Sequence, residues 1–479
     1  MTFVGILFFG WAVGIRIDWK ESFWAGLIFI VFIVLVEILT LPLSRYAIKH
    51  QVTPWFQFAM GVTLIPVLVA WGGATVFSWL NPRLPGAAMH ATLEDARQKQ
   101  LSKRQEWARH PGWMSTDGRP IVIAVTLSGG GYRAAAIHAG LLHALDERCV
   151  PIRYLSTVSG GSIIGTYYAL GYPPALFREK LMAHRPGLPD EMLSIHWVFA
   201  DWFLPGYWVL PGWNSADTYA RHFRNVFFGT KTLADTGSFP RLLVNATDIE
   251  QTADRAREVF YKGRDPKDSK LDETLLADVV AASGAFPGAF QPKVIRWLPP
   301  AGADRLEKRR FVDGGVVENL GIEGLERFRV LEQEAGKSVD APDFTIISDA
   351  SKYGTVDRLP PKVEFVQLVS RSQGITYGTL HEFIRRQLKK EQVLWMRATH
   401  AEGIAILGSY MFGSVNGSKV ASEVAGYETL KELSSQQVDR TFWVGYTLGQ
   451  HYWDSVNSVR ERLGGAGSSC PGVQKAMRG

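Results

Sequence analysis

The sequence predicts an α/β region preceded by an all-helical membrane region. Two strand-to-helix units point to the first. Residues 121–127 (IVIAVTL) feed the loop Ser128-Gly129-Gly130-Gly131-Tyr132-Arg133, and residues 152–158 (IRYLSTV) feed Ser159-Gly160-Gly161-Ser162. In each, an apolar β-branched run of strand length meets a glycine turn and then a helix-forming stretch. The third observation is a split in charge. Residues 1–80 hold seven charged side chains, whereas the remaining 399 hold 91.

The membrane region follows from that split. Residues 22–43 carry Glu37 as their only charge, and residues 54–80 carry none. Twenty-two residues at about 1.5 Å each reach the roughly 30 Å of a hydrocarbon core. Residues 2–15 are apolar but short, so two or three helices are expected over residues 1–82. Trp11, Trp19, Trp24, Trp55 and Trp79 lie near segment ends, where interfacial tryptophans belong. Arg83, Arg97, Lys99, Lys103 and Arg104 follow the last run, which by the positive-inside rule places the large C-terminal part in the cytoplasm. Glu37 stands six residues from the end of its run, and a snorkelling or packed protonated carboxyl accounts for it.

The breaker cluster Asn81-Pro82-Arg83-Leu84-Pro85-Gly86 marks a boundary. A charged connecting helix is expected within a linker over 83–115, then a catalytic domain over 116–463 and a flexible tail over 464–479. Inside the catalytic domain, residues 190–230 form an aromatic-rich insertion. Residues 197–228 hold 11 aromatics in 32, a composition suited to a lid or acyl-binding wall, or to a core subdomain.

The glycine loop at 129–131 is an anion-binding arrangement, because glycines aim backbone N–H groups at a ligand and the helix dipole favours negative charge. Gly129-x-Gly131-x-x-Ala134 also fits a dinucleotide fingerprint, but the following strand supplies no acid for a ribose. Ser159 between strand and helix resembles a nucleophile elbow, with Thr157 in place of the first glycine of G-x-S-x-G. Phe311-Val312-Asp313-Gly314-Gly315 then puts a carboxylate at the end of a short apolar run.

Oxyanion glycines, serine and Asp-Gly-Gly in that order, with residues 281–290 (AASGAFPGAF) and 243–248 (LVNATD), resemble the patatin-like phospholipase family. The resemblance covers roughly residues 120–350. The leading Ser128 and trailing Ala134 are closer to cytosolic phospholipase A2, a relative of that family. It implies a three-layer α/β hydrolase domain with a mostly parallel central sheet. It also implies a Ser159–Asp313 dyad, an oxyanion hole from Gly129, Gly130 and Gly131, and a loop arginine, Arg133, that meets a lipid phosphate or pairs to hold the loop. A Ser–Asp–His triad through His381, His400 or His451 is the competing arrangement.

The expected activity is hydrolysis of fatty-acyl esters of phospholipids or acylglycerols through an acyl-enzyme, with membrane lipids as substrate and anchor. Acyl transfer with the same dyad and a catalytically inactive membrane scaffold are the alternatives. No cofactor and no metal are expected. A net charge of +6 over 479 residues, with no long basic run, excludes nucleic acid as the obvious partner. Cys149 and Cys470 are too few for a disulfide framework and lack zinc-site spacing.

Overall fold

The computed structural model describes residues 87–184, 215–253, 255–264, 269–297, 306–351, 392–429 and 433–465. These lie in one compact unit. The expected membrane region over 1–82, residues 190–214 of the aromatic insertion, His381 and nearly all of the 464–479 tail lie outside them. Among the described residues no helix is long and apolar enough to cross a membrane.

The centre is an eight-stranded sheet in the order β5-β6-β3-β2-β1-β7-β8, with β4 pairing β3. Its strands are β1 (Ile123–Leu127), β2 (Ile152–Val158), β3 (Arg241–Asp248), β4 (Arg257–Phe260), β5 (Lys293–Trp297), β6 (Glu307–Asp313), β7 (Phe344–Asp349) and β8 (Val393–Arg397). The run β8-β7-β1-β2-β3 is parallel, and β4, β6 and β5 complete it antiparallel. Strand β1 is buried along its whole length, which is why its sequence runs continuously apolar instead of alternating.

Helices cover both faces, giving the three layers the resemblance implied. On one face Ile123, Val125 and Leu127 pack in a core with residues of α2 (Gly131–Glu147), α3 (Gly160–Ala169) and α4 (Pro174–His184). On the other, Val122, Ala124, Tyr154 and Leu243 meet Leu325, Phe328 and Leu331 of α7 (Ile322–Glu334).

Helix α1 (Ala87–Ala108) lies where the sequence predicts a charged connecting helix. Its polar sequence conceals two buried arginines, Arg97 and Arg104. Arg104 pairs with Asp146 at 2.9 Å and donates to the Tyr168 carbonyl at 2.6 Å, and Arg97 donates to the Leu170 carbonyl at 3.0 Å. Those carbonyls sit at the C-terminal end of α3, where helix carbonyls lack partners and cations are favoured. The long arginine stems bury apolar length while the guanidinium groups find acceptors, so α1 is part of the catalytic unit.

The described end of the aromatic insertion is core. Phe223 of α5 (Ser215–Phe223), with Phe227 and Phe228 just after it, is at most 5% exposed.

Candidate active site

The C-terminal ends of β1, β2 and β6 bring the predicted residues together, where ligands bind in open α/β sheets. Ser159 leaves β2 and caps α3 with φ 49° and ψ −117°. A non-glycine residue held there costs about 1–3 kcal/mol, and the surrounding packing must impose it. The turn exposes the serine in part while its neighbours are buried. Gly160 is required by close approach, because a Cβ there would stand 2.1 Å from the Gly131 carbonyl oxygen. The nucleophile turn and the glycine loop therefore touch backbone to backbone.

Asp313 ends β6, and its Oδ1 accepts the Gly315 N–H at 2.8 Å. The Ser159 side chain is hydrogen-bonded to the same carboxyl. Asp313 is 5% exposed, and burial pushes its pKa up to about 6, against the Ser159 and Gly315 hydrogen bonds that lower it. The fold brings Ser159 and Asp313, named from separate motifs, beside one another.

The glycine loop is corrected in one place. The Gly129 N–H donates to the Asn319 carbonyl at 3.1 Å, so that amide is committed to holding the loop. Gly130 (φ 138°) and Gly131 (φ 62°) follow at the start of α2. Amides in a helix's first turn have no intrahelical acceptor, so these two can donate to a negatively charged oxygen.

Arg133 is also corrected as a substrate contact. It is fully buried, and its guanidinium donates to the Tyr427 carbonyl at 2.7 Å and the Ala350 carbonyl at 3.0 Å. It clamps the first turn of α2 to the segments after β7 and after α9 (Gly417–Gly426). Of the competing histidines, His400 faces Asp349 at 3.6 Å and His451 meets Tyr410 at 3.0 Å.

Several residues that shape the site carried no motif. The Asn319 side chain donates to Ser351 Oγ at 2.7 Å, and its Oδ1 leaves no room for a Cβ at Gly129 or Gly315. It wedges between the glycine loop and the Asp313 turn. Buried His138 spans Ser348 Oγ at 2.8 Å and the Ser128 carbonyl at 2.9 Å. Tyr219 stacks on Phe290 at 4.7 Å, and its hydroxyl is hydrogen-bonded to that of Tyr132 on α2. The i, i+2 and i, i+4 patterns of the sequence carry no trace of such long-range pairs.

A cavity of about 550 Å³ lined by Arg119, Asp343, Gln392 and Arg462 opens at the other end of the sheet, before β7 and β8 begin. It holds none of these residues.

Residues 125–325 match the patatin-like phospholipase family. Lysophospholipase NTE1 of Eremothecium gossypii is 31% identical over 121 residues, 23% of this chain and 8% of that protein. Its counterparts in Kluyveromyces lactis and Mycosarcoma maydis are 38% identical over 74 residues and 27% over 141, covering 15% and 26% of this chain. Those matches span 5% and 7% of the relatives, so the similarity covers less than a tenth of each of the three. Among solved structures, human GIVD cytosolic phospholipase A2 aligns with a TM-score of 0.45 at 10% identity, over 79% of this chain and 65% of that one. VipD from Legionella pneumophila aligns with a TM-score of 0.30 at 15% identity, over 71% and 69%. The stretch that carries the glycine loop, Ser159 and Asp313 is therefore the part of the chain that is similar to the patatin-like phospholipases, over residues 125–325.

Proposed function

We propose that this chain is a membrane-anchored lipid acyl hydrolase working through a Ser159–Asp313 dyad. The observation that carries the proposal is a strained, partly exposed serine set beside a buried carboxyl whose pKa burial pushes up to about 6. Serine needs a base within hydrogen-bond reach, and a base with a pKa just below neutrality is ionised yet still accepts a proton.

In this scheme Ser159 Oγ attacks the ester carbonyl as Asp313 takes its proton. The Gly130 and Gly131 amides receive the oxyanion, each donor contributing about 10²- to 10³-fold. Collapse expels the alcohol, which leaves with the proton from Asp313. Asp313 then takes a proton from water as the hydroxide attacks the acyl-enzyme, and Ser159 recovers its hydrogen when the fatty acid departs. Fatty-acyl esters of phospholipids, lysophospholipids or acylglycerols are the substrate class, in keeping with the lysophospholipases that share the stretch. Arg133 acts through the loop it clamps.

Residues 1–82 serve as the anchor, on the strength of their uncharged runs. The basic residues after the last run orient the catalytic domain to the cytoplasm. Protection of that domain from protease added to intact cells tests the orientation. Resistance to alkaline carbonate extraction tests the anchor.

The central experiment is labelling by a fluorophosphonate probe. Labelling of the full chain that disappears in Ser159→Ala, together with release of free fatty acid from a phospholipid, supports the hydrolase. Transfer of the acyl chain to a second lipid would make it an acyltransferase, and no labelling at all would leave an inactive scaffold.

A further inference from the structure

We infer that Ser283 is a positioning residue that holds the nucleophile's backbone. The inference rests on Ser159 being the nucleophile. Ser283 closes α6 (Leu276–Ser283) and is fully buried. Its Oγ lies 2.9 Å from the Ser159 amide nitrogen, 2.6 Å from the Asn245 carbonyl oxygen and 2.8 Å from Ser162 Oγ.

The proton positions follow from the partners. A carbonyl oxygen only accepts, so the Ser283 hydroxyl hydrogen goes to Asn245. Its lone pairs then face the Ser159 N–H and Ser162 Oγ, whose one hydrogen has Ser283 Oγ at 2.8 Å and Thr157 Oγ1 at 3.1 Å as acceptors.

The placement is specific to the turn. Strands β2 and β3 are paired in parallel as far as Val158 and Asn245. The next residue of β2 is Ser159, which swings out of the sheet at φ 49°. Its N–H can no longer use the ladder, and the Ser283 hydroxyl stands between that N–H and the Asn245 carbonyl. A third element thus supplies the bridge that lets the chain leave the sheet without leaving a buried donor unpaired. The next residues reinforce the geometry, because the Asp313 N–H donates to the Ala285 carbonyl at 3.0 Å. One short segment, residues 283–285, therefore holds the backbones of both dyad members.

If Ser283 acts this way, its loss displaces Ser159 Oγ from its line of attack, and a shift of about 1 Å can cost about 10²-fold. Substrate binding elsewhere is untouched. The test uses the full chain with a fluorophosphonate probe and p-nitrophenyl butyrate. Ser283→Ala is expected to lower kcat and the acylation rate by about tenfold to a hundredfold, with KM within about threefold of the parent. Ser162→Ala removes a buried hydroxyl that touches Ser283 but not the Ser159 amide, and should lower both rates by less than about threefold at a comparable loss of Tm. Ser283→Cys keeps the volume with a weaker acceptor and should fall between, so it serves where Ser283→Ala does not fold. Parental acylation in the folded Ser283 variants, or an equal fall in Ser162→Ala, overturns the inference while the hydrolase stands. A parent chain unlabelled at Ser159 overturns both.

Discussion

Thr157 fills the space that Gly165 leaves open. A Cβ at Gly165 would come within 2.3 Å of Thr157 Cγ2. This pair explains why the chain departs from G-x-S-x-G without losing the elbow. Two residues before Ser159 the strand carries a branched side chain, and the helix behind it carries none at Gly165. Thr157 Oγ1 is tied to the Leu243 carbonyl at 3.2 Å, so the methyl cannot easily turn away.

Gly165→Ala should therefore destabilise the domain by about 1–3 kcal/mol, although alanine is the better helix former. In a Thr157→Ser background, which keeps the hydroxyl and removes the methyl, the same change should be neutral or stabilising. Urea denaturation of the four proteins of the cycle measures the coupling. An equal cost of Gly165→Ala in both backgrounds would refute the pairing.

The Asp313 carboxyl makes activity and stability move in opposite directions with pH. As base it must be ionised, so kcat/KM should fall as pH drops through about 6. For stability, the folded pKa near 6 lies above the ordinary 3.8. Between those values the folded state holds the extra proton, so stability declines as pH rises through the window. Above it the cost is about 3 kcal/mol. Asp313→Asn should abolish hydrolysis and raise stability at pH 8, with the difference closing toward pH 4. Thermal melts across that range check it, and a gap that does not change with pH would count against an ionised buried carboxylate.

How much of this was legible in the sequence depends on how local the cause is. Ser159 and Asp313 each stand at the end of an apolar run and before glycines, so each could be named from a few neighbours. The three layers follow from the family resemblance and the strand–helix units. Gly129 could not be told from Gly130, because what separates them is a carbonyl at Asn319, brought beside it only by the fold. Arg133 is the sharper case. Its partners Tyr427 and Ala350 lie 294 and 217 residues away, and nothing near residue 133 reveals them. The same holds for α1, whose arginines look solvated until the carbonyls ending α3 are in place.

The two bonds from Arg133 make a discriminating prediction. A clamp supports the loop for every substrate. Arg133→Gln should leave buried carbonyls short of donors, costing about 1–3 kcal/mol for each. It should also lower kcat in equal proportion on a phospholipid and on an uncharged monoacylglycerol. A loss confined to phosphate-bearing substrates would mean that the guanidinium reaches the lipid headgroup.

His138 sets the acid limit of the same loop. The Ser128 carbonyl only accepts, so His138 Nε2 carries the hydrogen, and Nδ1 accepts from Ser348. Burial pushes its pKa down to about 4, against the Ser128 carbonyl and the Asp349 charge, which raise it. The ordinary value is 6.5, so the unfolded chain takes up a proton that the folded chain refuses. Stability from this group is complete above pH 6.5 and is lost as pH falls toward 4, by about 3 kcal/mol in all. His138→Gln, which preserves a donor toward Ser128, should flatten that part of the stability profile relative to the parent. The imidazole should also remain neutral by NMR at pH 5. An imidazolium signal at pH 5 in the folded protein would show that the ring does not bridge Ser128 and Ser348 as a neutral donor and acceptor.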